Sequence, residues 1–315
     1  MHQKPLFVGL GELLWDVYPD GRRLGGAPAN AALHARNLGA EGMIVSAVGV
    51  DADGDSIVAA VRDRGLSARG IQRFGSRPTG TVRVTLDAGG VPSFACSTDT
   101  AFDYILWEET LEAAAAEADV VLFGTLAQRN PVSAGSIQRF LDHAVNAVRV
   151  FDVNFRGWTD RVRDAVRLSL PKTELLKMNE DEIAVLKKAF GREAMDDASM
   201  LGWLVHEFGL KWAALSLGGR GCRIADKNDC ILERGLAVDV KDTTGCGDAF
   251  SAALALGLLA GDPIREAAVA ANRAAAFTAT QMGAAPVYSP EQIKDFSGKL
   301  KGGSGAASHP GEGGG

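Results

Sequence analysis

Short apolar runs recur through most of this chain, each separated from the next by a stretch of helical periodicity. "PLFVGLGEL", "GMIVSAVG", "ADVVLFGTL", "NAVRVFDVN", "TELLKMN" and "KWAALSLG" are the runs. "DGDSIVAAVRDRG", "PVSAGSIQRFLDHAVN" and "EDEIAVLKKAFG" are amphipathic segments between them. The first of these opens on Asp and closes on Gly, as helices do. Strand-length apolar runs alternating with helices are the pattern of a mostly parallel sheet covered on both faces.

One region departs from the rhythm. "TGTVRVTLDAGGVPSFACS" alternates apolar and polar residues, with Gly89-Gly90 suited to a tight hairpin turn, so a small antiparallel excursion is expected there. The Gly-rich end, "GGSGAASHPGEGGG", is poor in apolar residues and is expected to be disordered. The expected division is one domain over 1–295 and a tail over 296–315.

With 315 residues, 46% of them hydrophobic, the chain can bury a full core. Its net charge of −6 argues against a nucleic-acid surface. No run approaches the roughly 18 apolar residues of a membrane span, and no signal peptide is visible, so a cytoplasmic protein is expected. Cys96, Cys222, Cys230 and Cys246 lack zinc-ligand spacing and are expected to be free thiols. Cys222 and Cys230 flank a hairpin that could set them opposite each other. The five histidines are scattered and read as packing residues.

The stretch "VKDTTGCGDAFSAAL" is the most informative. A helix beginning near Gly245 presents N–H groups without intrahelical partners and the positive end of its dipole. Gly245 and Gly247 would let an anion approach closely, with Cys246 supplying its backbone N–H. Asp248, in the first turn, would be favoured as the ionised form and could take a proton from an attacking hydroxyl. An ordinary capped helix needs fewer special residues than this.

"DTTGCGDAF" resembles the C-terminal signature of the ribokinase-like (PfkB) carbohydrate kinases, which usually carry Ala or Gly at position 246. "LGGAPANAALHARNLGA" is similar to their N-terminal signature. The resemblance covers about Pro5 to Pro290. It implies a three-layer α/β/α sandwich with a β lid, drawn mainly from about 12–30 and 76–100. It further implies transfer of the γ-phosphate of ATP to a sugar hydroxyl, with Asp248 as base and Gly245–Cys246–Gly247 as anion hole. Asp16, Gly25, Gly26 and Asn30 would bind the sugar, joined by Arg156 from "FDVNFRGW". Asn179 in "KMNEDE", and Ser216 and Gly218 with Gly221 in "ALSLGGRGC", would border the nucleotide, as would Asn272. Glu182 would hold Mg²⁺ through water. Asp242, Thr244 and Gly283 match positions that bind K⁺ in several members, although Gln281 stands where Arg is frequent. A homodimer through the lid is implied as well.

"GELLWDVYP" and "TDTAFDYI" look most like the fructokinase branch, which phosphorylates the 6-hydroxyl of fructose. A 2-keto-3-deoxygluconate kinase or ribokinase is the alternative within the family, and a non-catalytic sugar or nucleotide sensor the alternative outside catalysis. A dinucleotide enzyme is disfavoured because "GLGELL" offers only Gly-x-Gly. A P-loop is excluded because no G-x-x-x-x-G-K-[ST] occurs.

Overall fold

All six apolar runs become strands of one nine-stranded sheet. The computed structural model describes residues 4–86, 92–155 and 157–302. In chain order the elements begin with β1 (Leu6–Leu10), β2 (Leu14–Tyr18), β3 (Gly21–Gly25), α1 (Ala27–Asn37), β4 (Glu41–Gly49), α2 (Ala52–Asp63), β5 (Ser67–Phe74), β6 (Gly80–Leu86) and β7 (Pro92–Cys96). Next come α3 (Glu109–Glu117), β8 (Val120–Phe123), α4 (Pro131–His143), β9 (Val148–Asp152), α5 (Asp160–Ser169), β10 (Leu175–Asn179), α6 (Glu180–Ala189), α7 (Asp197–Phe208) and β11 (Trp212–Ser216). The chain closes with β12 (Gly221–Ala225), β13 (Cys230–Arg234), α8 (Cys246–Leu259), α9 (Ile264–Ala279) and α10 (Pro290–Gly302).

The large sheet runs β13-β12-β11-β10-β9-β8-β1-β4-β5, parallel from β11 to β5, with β12 and β13 antiparallel at one edge. Val120–Phe123 is buried along its whole length, as a strand covered on both faces must be. Two apolar cores flank the sheet: α1, α2, α8 and α9 pack on one face and α3 to α7 on the other. The result is the three-layer α/β/α sandwich.

The strand order reverses at β1, which lies between β4 and β8. Ligands of open α/β sheets bind in the crevice outside the carboxyl ends of the strands at such a point. The residues that follow β1, β8, β9, β10 and β11 all open onto this end of the sheet.

The four-stranded sheet, β3-β2-β6-β7, sits above that crevice. Its β2–β3 and β6–β7 pairs are antiparallel, and β2 joins β6 in parallel. The Gly89-Gly90 turn lies outside the described residues. Arg129 ties this sheet to the body: its guanidinium donates to both oxygens of Asp103 (2.6 and 2.8 Å) and to the Ser97 carbonyl (2.7 Å).

Two expectations need correction. The helix α10 carries the chain past residue 295, because Ile293 is buried and Phe296 packs edge-on against Phe277 (centroids 5.4 Å apart). The remainder of the tail, 303–315, lies outside the described residues. In the β12–β13 hairpin, register sets Cys230 opposite Ala225 and Cys222 opposite Glu233, so the two cysteines do not face each other. All four cysteines are free.

Candidate active site

The polypeptide enters α8 through Gly245, whose φ of 79° lies in the left-handed region. A side chain there would begin 1.8 Å from the Ala284 carbonyl oxygen, so only glycine fits. Backbone packing thus requires glycine at 245, which also borders the cavity beside Asp248. Gly247 borders both cavities, and a Cβ on it would meet only the end of the Lys177 side chain, 3.1 Å from Nζ. Cys246 departs from expectation, because its N–H donates to the Thr243 carbonyl (3.3 Å). Gly247 and Asp248 follow with first-turn N–H groups that have no intrahelical acceptor. Burial pushes the Cys246 thiol up to about 11, which makes it an unreactive filler.

Asp248 is half-buried, and its pKa is pushed up to about 7. Burial is the main cause and the Asp152 charge adds to it; a hydrogen bond from Asn30 and the Lys177 charge oppose both. The helix dipole does not keep this carboxyl in the ordinary range. Asn30 Nδ2 donates to Asp248 Oδ2 at 2.9 Å. Asn30, expected on the sugar, thus holds the carboxylate.

Lys177 and Asp152 were not anticipated from the sequence. They are register partners on β10 and β9. Lys177 Nζ lies 3.1 and 3.2 Å from the Asp152 oxygens, with both side chains at least nine-tenths buried. Ser251 Oγ on α8 donates to Asp152 Oδ2 (3.1 Å). Burial disfavours the ammonium, but Asp152, Glu182 and Asp248 outweigh it, so the Lys177 pKa is raised and the group stays charged. The available signal was a charged residue inside an otherwise apolar strand, which a folded chain rarely buries without a partner.

Two cavities meet at this point. One, of about 700 Å³, is bordered by Glu12, Asp16, Gly26, Asn30, Asn154 and Asp248, and is roofed by the small sheet at Val82 and Cys96. The other, of about 640 Å³, is bordered by Asn179, Ser216, Gly218, Gly221 and Asn272. Lys177, Asn179, Thr243 and Gly247 border both. Gly25 lies beneath Asp16, where a Cβ would begin 2.3 Å from the Asp16 carboxylate. Gly26, with φ 107°, caps α1 against the Glu12 carbonyl.

Several expected residues also have protein partners. Asn179 Oδ1 accepts from Glu182 N–H (2.9 Å), and Glu182 Oε2 accepts from Asn179 N–H (2.7 Å), a capping box for α6. Glu182 Oε1 accepts from Phe155 N–H (3.3 Å). Asn272 Nδ2 donates to the Arg234 carbonyl (3.2 Å), and Ser216 Oγ to the Met178 carbonyl (3.3 Å). Asp242 accepts from Thr244 N–H and Gly283 N–H, both at 2.9 Å. That link joins the α8 entrance to the return segment. Among the described residues no group of three or more His, Cys, Asp or Glu side chains is arranged to hold a metal. Arg156 lies outside the described residues.

The return segment is clamped. His34 Nε2 pairs with the Ala284 carbonyl (2.9 Å), Arg64 donates to that of Ala285 (2.6 Å), and Asn37 to that of Pro286 (2.8 Å). Since a carbonyl only accepts, Nε2 carries the His34 proton and Nδ1 accepts from Tyr288 Oη (2.9 Å).

The mostly parallel α/β sandwich thus carries a small β sheet over paired cavities, one acidic and one glycine-bordered. Residues 20–291 match the pfkB family of carbohydrate kinases, and the chain belongs to that family. An uncharacterized sugar kinase of Pyrococcus horikoshii is 31% identical over 242 residues, 75% of this chain and 73% of the relative. Its structure in complex with ATP superposes with a TM-score of 0.77, at 26% identity over 91% of this chain and 96% of that one. Fructokinase-2 of Zea mays is 28% identical over 308 residues, 89% of this chain and 90% of the relative. The fructokinase of Xylella fastidiosa with bound ATP shares the fold, with a TM-score of 0.83 at 20% identity over 95% of this chain and 99% of that one. The chain is a carbohydrate kinase by family. Among the described residues no helix is long and apolar enough to cross a membrane.

Proposed function

We propose that this chain transfers the γ-phosphate of ATP to a hydroxyl of an uncharged sugar, with D-fructose and its 6-hydroxyl as the first candidate. The observation that carries this is the position of Asp248 in the wall of the sugar-side cavity, next in sequence to Gly247, which borders both cavities, with a pKa raised to about 7. A base with a pKa near the working pH combines a useful deprotonated fraction with a strong pull on the proton.

In this reading ATP occupies the cavity bordered by Ser216, Gly218, Gly221 and Asn272, with its γ-phosphate at Gly247. The sugar occupies the cavity bordered by Asp16 and Gly26. Asp248 accepts the hydroxyl proton as the oxygen attacks phosphorus and the bond to the β-phosphate oxygen breaks. The Gly247 and Asp248 N–H groups and the Lys177 ammonium face the charge on the phosphoryl oxygens. Mg²⁺, when bound, would neutralise the β- and γ-phosphates, and the Glu182 carboxylate with Asn179 would hold it through water. Asn30 fixes the base, Asp152 fixes the lysine, and Ser251 fixes Asp152.

Uncharged sugars are favoured because Arg129 and Lys177, the described cations bordering the sugar cavity, are each paired with an aspartate, at 2.6 and 3.1 Å. A 2-keto-3-deoxygluconate kinase would want a cation to spare for the carboxylate. The similarity to plant fructokinases also points to fructose. The outer strands β3 and β7 of the small sheet are where a second copy would pair. A coupled ADP-release assay over fructose, ribose, glucose, 2-keto-3-deoxygluconate and nucleosides tests the assignment. Sugar-dependent ADP release that is greatest with fructose is expected, and release that is absent for every sugar overturns it.

A further inference from the structure

Directly after β9, Asn154 adopts φ 39°, one of two non-glycine residues among those described with positive φ. It borders the sugar cavity and is half-buried. The backbone around it is fastened from several sides. Thr125 Oγ1 donates to the Val153 carbonyl (2.8 Å), Val153 N–H donates to the Lys177 carbonyl (3.2 Å), and Phe155 N–H donates to Glu182 Oε1 (3.3 Å). Thr125 and Glu182 are themselves buried. A sparsely populated backbone conformation, held by its surroundings at the wall of a cleft, is where side chains are aimed for function.

Glycine would take up this conformation with the least strain. The chain does use glycine at Gly157, where φ is 97°. At position 154 it keeps an amide, and among the described residues no hydrogen bond to that side chain is found. We propose that Asn154 is a sugar-recognising residue whose side chain contacts substrate hydroxyls from the wall opposite the small sheet. An amide offers two N–H donors and a carbonyl acceptor, so it matches a pair of neighbouring hydroxyls, each of which can both donate and accept. The chemical class it selects is an uncharged polyhydroxy compound. Because Asp152 and Lys177 border the same cavity, this contact would orient the sugar relative to the phosphoryl group as well as bind it.

This inference rests on the sugar-kinase reading, and the test separates the two. Steady-state kinetics with fructose and ATP are measured for the intact chain, Asn154→Gly and Asn154→Asp, alongside melting temperatures. Asn154→Gly keeps the left-handed backbone and removes the amide. It is expected to raise the KM for sugar by about tenfold or more while the KM for ATP stays within about twofold and the fold melts normally, because a hydroxyl built to meet a partner is left without one. Asn154→Asp keeps size and backbone tolerance but removes the donors, and a smaller rise in the same constant is expected. A sugar KM unchanged in Asn154→Gly overturns the inference and leaves Asn154 a turn residue. If Asn154→Gly does not fold, an unchanged sugar KM in Asn154→Asp overturns it equally. Absence of sugar-dependent ADP release from the unaltered chain overturns the kinase reading, and this inference with it.

Discussion

Asn30 Nδ2 reaches Asp248 Oδ2 at 2.9 Å, linking the first turns of two helices 218 residues apart in the chain. The bond favours the charged carboxylate, against burial and the Asp152 charge, which favour the protonated one. In the proposed role of Asp248 as base, with its pKa near 7, kcat/KM is expected to rise with pH through about 7 and to level above it. Asn30→Ala removes the opposing bond and should move that inflection to higher pH. A pH–rate profile of both proteins checks this.

Asp248→Asn should retain sugar and nucleotide affinity while turnover drops by about 10²–10⁴-fold, the usual contribution of a positioned base. Near-normal kcat would remove Asp248 from the role.

Lys177→Met strands the buried Asp152 charge. A loss of about 3–5 kcal/mol is expected from breaking a buried pair on one side. The double variant Asp152→Asn with Lys177→Met should recover much of the stability without recovering turnover. Melting temperature and kcat for the single and double variants decide it, and parallel recovery of both would make Lys177 purely structural.

The two glycines at the helix mouth should fail differently. Gly245→Ala drives a Cβ into the Ala284 carbonyl and should destabilise the fold. Gly247→Val meets the end of a flexible lysine instead, so the protein should fold while phosphoryl transfer collapses. Thermal melts and ADP release on both variants compare them.

His34 is fully buried, and its pKa is lowered to about 4, chiefly by burial. The folded state therefore binds fewer protons than the unfolded state between pH 6.5 and about 4, and stability falls as pH falls through that window. The full effect is about 3 kcal/mol at 1.36 kcal/mol per pKa unit. The difference in unfolding free energy between the wild type and His34→Gln should narrow by about this much on acidification, and denaturant melts across the window measure it.

The sheet was legible because parallel strands covered on both faces must be continuously apolar, and each of the six runs named became one. The helix mouth was legible because "DTTGCGD" concentrates residues that ordinary capping does not require. Lys177, Asp152 and Asn154 were not, because their meaning lies in register and backbone dihedrals. "TELLKMN" does not reveal that its lysine stands beside the aspartate of "FDVN". Cys246 N–H and Glu182 show the opposite gap: both match a motif by position, while three-dimensional contacts give them internal partners that spacing cannot display.

The clamp on Ala284, Ala285 and Pro286 bears on biosynthesis. Gly245 can settle against Ala284 only once that later segment has left the ribosome, and His34, Asn37 and Arg64 must wait for it with their partners missing. The mouth of α8 is thus among the last parts of the molecule to be completed, long after the strands that frame it have been made.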